Sequence, residues 1–191
     1  MSPTTPCCSP LINKALEFSA QVHLKQIRKG TDIPYITHPY AVGMILARSG
    51  CPESIVIAGI LHDTVEDTEA TLDGIRSMFG EDVAVIVAGC SEPDKGLSWE
   101  KRKQHTIDEL RHAPIGVQLV ACADKLHNIS SMIDDHSRVG NDLWDRFNRG
   151  KVQQQWYYRG LVKSLEYSEV GNHELFKELR QAVMSFFGNQ D

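Results

Sequence analysis

Residues 53–67 read ESIVIAGILHDTVED, and this stretch decides the fold class. Its centre, 55–61, is apolar nearly all round a helix, a pattern typical of a helix buried on every side. The β-branched residues would also suit a strand, but the length of the segment and the absence of flanking turn residues favour a helix. The sequence therefore predicts a buried helix over 53–65, opened by Pro52 at its first turn.

Helical patterns continue on both sides of this segment. An apolar stripe predicts a first helix over 11–27, Pro39 opens a second helix that runs to residue 48, and Thr71 caps a short helix that ends at Gly80. We predict an all-α, single-domain helical bundle. Its remaining segments are helices over 83–90, 99–111, 117–133, 152–165 and 174–187, with a charged loop over 91–98 and a polar stretch over 134–142.

Length and composition limit the function classes. A chain of 191 residues fits one domain, which we place at 11–188 after a flexible N-terminal segment, 1–10. The net charge of −5 argues against a nucleic-acid binder, which would show a basic face. No apolar run approaches the roughly 20 residues of a membrane span, and the N-terminus lacks a secretory pattern. We expect a cytoplasmic protein with no membrane partner, and its oligomeric state stays open.

Five cysteines also bear on the location of the protein. They are odd in number, unevenly spaced and contain no CxxC pair, so a disulfide framework or a zinc ribbon is not expected. Thiols in a reducing compartment are the simpler interpretation.

Polar residues end the buried run abruptly at His62 and Asp63, followed by Glu66 and Asp67. On one continuous helix, positions four apart share a face, which would place His62 beside Glu66 and Asp63 beside Asp67. Burying such groups unpaired costs several kcal/mol each, so they must be paired, hydrated or bound to a cation. An exposed helix end is the alternative interpretation of this segment alone.

Two further residues favour a cation. His38 stands at a predicted helix start, and Asp124 lies within an apolar helix that becomes polar midway. Together with His62 and Asp63 they form a mixed nitrogen and oxygen set, which suits one borderline or hard divalent ion and lacks the thiolates of a structural zinc site. We predict one Mn²⁺. Magnesium is disfavoured by two histidines, while zinc, iron or cobalt could substitute.

These residues resemble the ordered H…HD…D pattern of the HD phosphohydrolases, and the surrounding blocks resemble its alarmone hydrolases of the RelA/SpoT type. The blocks are RKG at 28–30, PYITHP at 34–39, LHDTVEDT at 61–68, FG at 79–80 and ADKLHN at 123–128. The resemblance runs from about residue 15 to 165. It implies an HD-type bundle around a central metal site. The chain is too short for a synthetase domain after the hydrolase, so the match is to the small single-domain members.

The resemblance implies removal of the 3′-pyrophosphate from guanosine tetra- or pentaphosphate. Glu66 and Asp67 resemble the pair that orients or deprotonates the attacking water in this family. The predicted substrate contacts are Arg28 and Lys29 before the site, Lys125 and Asn128 after Asp124, and Arg149 and Lys151 in a later basic and aromatic cluster. His127 is expected to point away from the face of Asp124, and to be a neighbour of the ligands at most.

Two other functions remain open. A nucleotidase, or a hydrolase of an adenine alarmone or of NADPH, would use the same metal site with different base and phosphate contacts. A non-catalytic HD module that senses a nucleotide would be expected to have lost a ligand, and here all are present. The loop at 89–95 departs from the family pattern, so we assign no phosphate contact there.

Overall fold

The computed structural model describes residues 9–91 and 96–188. Residues 1–8 of the predicted N-terminal segment and 92–95 of the predicted loop lie outside the described residues, and the domain limits 11 and 188 stay a prediction. Within the described ranges no strand forms beyond one antiparallel bridge between Ile27 and Pro34. The all-α fold class is confirmed.

Ten α-helices follow one another in the described residues, with 3₁₀ segments at Gly140–Arg146 and Glu169–Asn172. They are α1 (Pro10–Val22), α2 (Thr37–Arg48), α3 (Glu53–Leu61), α4 (Thr64–Asp67), α5 (Leu72–Phe79), α6 (Glu81–Cys90), α7 (Trp99–Leu110), α8 (Ile115–Val139), α9 (Lys151–Glu166) and α10 (Glu174–Phe187).

Helix α3 is the centre of the bundle, as its apolar sequence predicts. All residues from 55 to 61 are buried, and α3 packs against α1, α2, α6 and α8. The two glycines at the contact with α2 allow a close approach of the backbones. A Cβ on Gly59 would overlap the side chain of Leu46, and a Cβ on Gly43 would overlap Ile60. This contact brings the start of α2 beside the end of α3.

Gly59→Val is expected to lower the free energy of unfolding by roughly 1–3 kcal/mol, the usual cost of overpacking a core. The new side chain would enter space held by Leu46, which is fully buried. Urea unfolding followed by circular dichroism measures the change. Gly74→Val is the matched control, because its Cβ would meet only the Thr71 hydroxyl at 3.3 Å. Equal stability of the two variants would contradict the prediction.

The predicted helix over 53–65 is wrong in one respect, since it is interrupted between α3 and α4. The Thr64 hydroxyl donates to the carbonyl of Leu61 at 2.7 Å, and His62 Nδ1 lies 2.8 Å from the carbonyl of Gly59. These side chains bind carbonyls at the C-terminal end of α3, where a helix leaves its last carbonyls without backbone donors. His62 and Asp63 therefore lie at a corner rather than along one helix face.

Two other helices end at residues different from those predicted. The first helix ends at Val22, since Ile27 belongs instead to a hairpin-like turn in which Tyr35 N–H donates to the carbonyl of Gln26 at 2.9 Å. Helix α8 runs on to Val139 through part of the polar stretch predicted at 134–142, and it stops at Gly140 with φ of 60°. Polar residues alone do not end a helix that has an exposed face.

No helix in the described ranges is long and apolar enough to cross a membrane. Among the cysteines of these ranges, Cys51, Cys90 and Cys122 are free thiols. Cys7 and Cys8 lie outside the described residues.

Candidate metal centre

The four residues predicted as metal ligands meet at the corner between α3 and α4. His38 comes from the first turn of α2, His62 and Asp63 from the corner itself, and Asp124 from the middle of α8. His38 Nε2 lies 3.2 Å from Asp124 Oδ1 and 3.5 Å from Asp63 Oδ2. His62 Nε2 lies 3.0 Å from Asp63 Oδ2 and 4.0 Å from Asp124 Oδ1. Both histidines and both carboxylates thus face one small volume.

One buried nitrogen at this point has no hydrogen-bond partner among the described residues. His62 is 4% exposed, and its Nε2 makes no hydrogen bond although Asp63 is near, because the angles are unsuitable. Its Nδ1 faces the carbonyl of Gly59, an acceptor, so Nδ1 keeps its proton and Nε2 is the nitrogen left to bind a cation. A buried nitrogen without a hydrogen-bond partner, facing two carboxylates, fits a metal ligand.

The pKa shifts of the clustered side chains also favour a bound cation. Burial opposes ionisation of Asp124, yet Lys125 and His38 hold the pKa of this carboxyl well below its usual range. Burial likewise opposes ionisation of Asp63, while His62 lowers its pKa. Burial lowers the pKa of His62, but Asp63 and Asp124 outweigh burial and raise that pKa to about 9. The carboxylates are therefore charged, and a cation bound here would displace a proton from His62.

One ligand atom each from His38, His62 and Asp124 lies within 4.8 Å of the others, a grouping that could hold a metal ion. Two imidazoles with carboxylate oxygens suit a divalent transition metal with open coordination positions. The donor set, the unpartnered nitrogen and the charged carboxylates fit a divalent cation.

Tyr35 is a functional residue that sequence reasoning missed. Its hydroxyl donates to Asp63 Oδ2, and the ring packs edge-on against His38 with centroids 5.8 Å apart. The available signal was its place in the PYITHP block, three residues before His38. Hydrogen bonds from neighbouring groups fix the orientation of metal-ligating carboxylates. Tyr35 thus positions Asp63.

Tyr35→Phe is expected to weaken divalent-metal affinity about 10–100-fold, as does loss of such supporting contacts in other metal sites. Calorimetric titration with Mn²⁺ measures the affinity. Tyr40→Phe is the control, because it removes a tyrosine hydroxyl of α2 that binds the carbonyl of Leu16 away from the ligands. Unchanged affinity in Tyr35→Phe would show that Asp63 needs no support from the phenol.

A cavity of about 680 Å³ opens on one side of the cluster, a size typical of ligand sites. His38, Asp63 and Asp124 lie on its wall. Arg28, Lys29, Lys125 and Asn128, which were predicted to bind substrate, line the same cavity. The structure therefore brings these predicted contacts and the ligands together around one space.

Two hydrogen bonds and an ion pair connect residues on the wall of this cavity. Arg28 Nη2 donates to Asn128 Oδ1 at 3.2 Å, and Asn128 Nδ2 donates to Asp124 Oδ1 at 2.5 Å. Lys125 Nζ lies 2.6 Å from Asp124 Oδ2. Asn128 and Lys125 therefore orient Asp124 as well as facing the cavity.

A second, smaller cavity of about 160 Å³ lies on the other side of the cluster. Glu66 lines it, together with His62, while Asp63, Asp124 and Lys125 border both cavities. Asp67 is exposed at the end of α4 and lines neither of these two cavities. The two predicted catalytic carboxylates thus occupy different surroundings.

Arg149 and Lys151 of the later basic and aromatic cluster were predicted to contact the substrate, and the structure places both elsewhere. Arg149 lies 2.5 Å from Glu100 at the surface, and Lys151 Nζ lies 6.0 Å from the ring centre of Trp144. Neither lines either cavity. Arg146 lines the larger cavity and pairs with Asp135 at 2.9 Å. Within this cluster the structure places Arg146, rather than Arg149 or Lys151, on the cavity wall.

Comparison with known proteins places the fold and site in a family. The HD domain family profile matches residues 15–148. The mouse guanosine-3′,5′-bis(diphosphate) 3′-pyrophosphohydrolase MESH1 is 38% identical over 170 residues, 87% of this chain and 90% of that protein. A solved structure titled "A metazoan ortholog of SpoT hydrolyzes ppGpp and plays a role in starvation responses" aligns over 97% of this chain and 99% of its own, with a TM-score of 0.79 and 26% identity.

A longer relative matches only in part. The probable GTP pyrophosphokinase of Mycobacterium leprae is 37% identical over 125 residues, which are 64% of this chain but only 16% of that protein. The chain belongs to the HD-domain family, in the branch that contains the small guanosine-3′,5′-bis(diphosphate) 3′-pyrophosphohydrolases.

Proposed function

We propose that this protein is an Mn²⁺-dependent hydrolase that removes the 3′-pyrophosphate from guanosine tetra- or pentaphosphate, giving GDP or GTP. The observation that carries the proposal is the cluster of two histidines and two carboxylates, which borders both a large cavity lined by Arg28 and Lys29 and a small cavity lined by Glu66. The similarity to the mouse and human pyrophosphohydrolases over 87% of the chain supports the substrate class. The cytoplasm stays the predicted location.

The larger cavity suits a nucleotide with several phosphates. Arg28 and Lys29 lie on its wall, as do Arg138 and Arg146, which share the carboxylate of Asp135. Charge-assisted hydrogen bonds from guanidinium groups are among the strongest contacts that phosphates make. This positive charge offsets the carboxylates of the metal centre, which would otherwise repel the substrate.

We assign the steps of the reaction to side chains that line the two cavities. A divalent cation held by His38, His62, Asp63 and Asp124 would lower the pKa of a water molecule and polarise the attacked phosphoryl group. Glu66, in the smaller cavity, accepts a proton from the attacking water. The new bond forms between the water oxygen and phosphorus while the bond from phosphorus to the ribose 3′ oxygen breaks. The 3′ oxygen takes up a proton from solvent, Glu66 releases its proton to solvent, and pyrophosphate and the nucleotide leave.

The test compares hydrolysis of guanosine and adenosine tetraphosphate alarmones, GTP and NADPH with added Mn²⁺. We expect pyrophosphate release from the guanosine alarmone, lost in chelator and in Asp63→Ala. Turnover of NADPH or GTP alone would retain the metal site and reject the alarmone assignment. Bound metal without turnover of any of these compounds would favour the sensing module.

A further inference from the structure

Each of the four proposed ligands also contacts a residue outside the ligand set, and these contacts differ in whether the direction of the hydrogen bond is fixed. Asp63 accepts from Tyr35, Asp124 accepts from Asn128, and His62 Nδ1 faces the Gly59 carbonyl. Each of these neighbours has a fixed role, as a donor to a carboxylate or as an acceptor from an imidazole. Only the outer contact of His38 leaves the direction of its hydrogen bond open.

His38 Nδ1 lies 2.8 Å from Nδ1 of His127, and the two rings are 4.9 Å apart between centroids. His38 is 2% exposed, so this contact is made away from solvent. Two nitrogens at this distance share one proton, which one donates and the other accepts. The tautomers of the two histidines are therefore coupled.

Two residues of α8 contact the two ring nitrogens of His38. Asp124 lies 3.2 Å from Nε2, and His127, three residues further along the same helix, meets Nδ1. Positions three apart are neighbours on a helix face. The expectation that His127 points away from the face of Asp124 was wrong. His127 and Asp124 contact opposite nitrogens of the same imidazole, that of His38.

A neutral imidazole ligates a metal through the nitrogen that lacks a proton. His38 Nε2 faces the other proposed ligands, so Nδ1 must carry the proton when Nε2 binds the cation. His127 must then accept through its own Nδ1 and carry its proton on Nε2. We propose that His127 is a positioning residue that selects the metal-binding tautomer of His38.

The inference rests on the proposed metal centre, and its test needs no substrate. His127→Asn keeps an acceptor oxygen close to the position of Nδ1, whereas His127→Leu removes the acceptor at similar volume. We expect Mn²⁺ affinity to fall about 10–100-fold in His127→Leu and to stay near the wild-type value in His127→Asn. His105→Leu, on the exposed face of α7, is the control. Calorimetric titration gives the affinities.

The second measurement reads the tautomer directly. In ¹⁵N-histidine-labelled wild-type protein loaded with Zn²⁺, long-range proton–nitrogen spectra should show the proton of His38 on Nδ1 and that of His127 on Nε2. A proton on His38 Nε2 would overturn the proposal. So would wild-type Mn²⁺ affinity in His127→Leu, or equal weakening in His127→Asn and His127→Leu. Should His127→Leu fail to fold, the wild-type spectrum and the His127→Asn affinity still decide. Loss of alarmone hydrolysis alone would bear on the proposed function and leave this inference standing.

Discussion

Asp124→Asn is expected to lower kcat/KM for the guanosine alarmone by at least about 10³-fold, since a catalytic cation contributes several kcal/mol and each 1.36 kcal/mol is tenfold in rate. Asp124 Oδ1 lies close to both histidine Nε2 atoms, and the substitution replaces its charge with a neutral amide. Pyrophosphate release measures activity, and elemental analysis measures retained manganese.

The control for this substitution is Asp108→Asn, which removes an exposed carboxylate on α7 that binds Gln104. Because Asp124 also pairs with the ammonium of Lys125, folding of each variant is checked by circular dichroism. A folded Asp124→Asn variant within tenfold of wild-type activity would remove Asp124 from the proposed ligand set.

The second large effect is expected for Glu66→Gln, with kcat reduced about 10²–10⁴-fold, the usual contribution of a positioned general base. Glu66 borders the smaller cavity beside His62 and Asp63, and the proposed reaction makes it the base that accepts a proton from the attacking water. Mn²⁺ affinity should stay near the wild-type value, because the amide keeps the size of the side chain. Steady-state kinetics at saturating Mn²⁺ separates kcat from KM.

Glu69→Gln is the matched control, an exposed carboxylate just beyond α4. Asp67→Asn, measured alongside, tells whether the second carboxylate acts together with Glu66. Burial and Asp63 raise the pKa of Tyr35, and the charge of Asp67 adds to this effect. A Glu66→Gln variant that has lost its manganese would instead assign Glu66 to the metal centre.

Much of the fold is predictable because helices are encoded locally. The apolar run at 55–61 predicts a buried helix, and Thr71 predicts a cap that the structure confirms, since its hydroxyl accepts from Gly74 N–H at 3.1 Å. The break after Leu61 was missed, because the hydroxyl of Thr64 and the ring of His62 compete with the backbone for carbonyls. Periodicity contains no information about that competition.

By itself the sequence determined the helical class, the resemblance to HD hydrolases and the residue types of the metal centre, because each depends on local pattern or on ordered motif blocks. Only the tertiary structure decided which cations face the cavity, so that Arg146 lies on its wall while Arg149 pairs with Glu100 at the surface. It also placed His127 against His38, 89 residues apart in the chain. Such contacts depend on how α2, α7 and α8 pack, and hydrogen bonds between distant helices leave no periodic signal in the sequence.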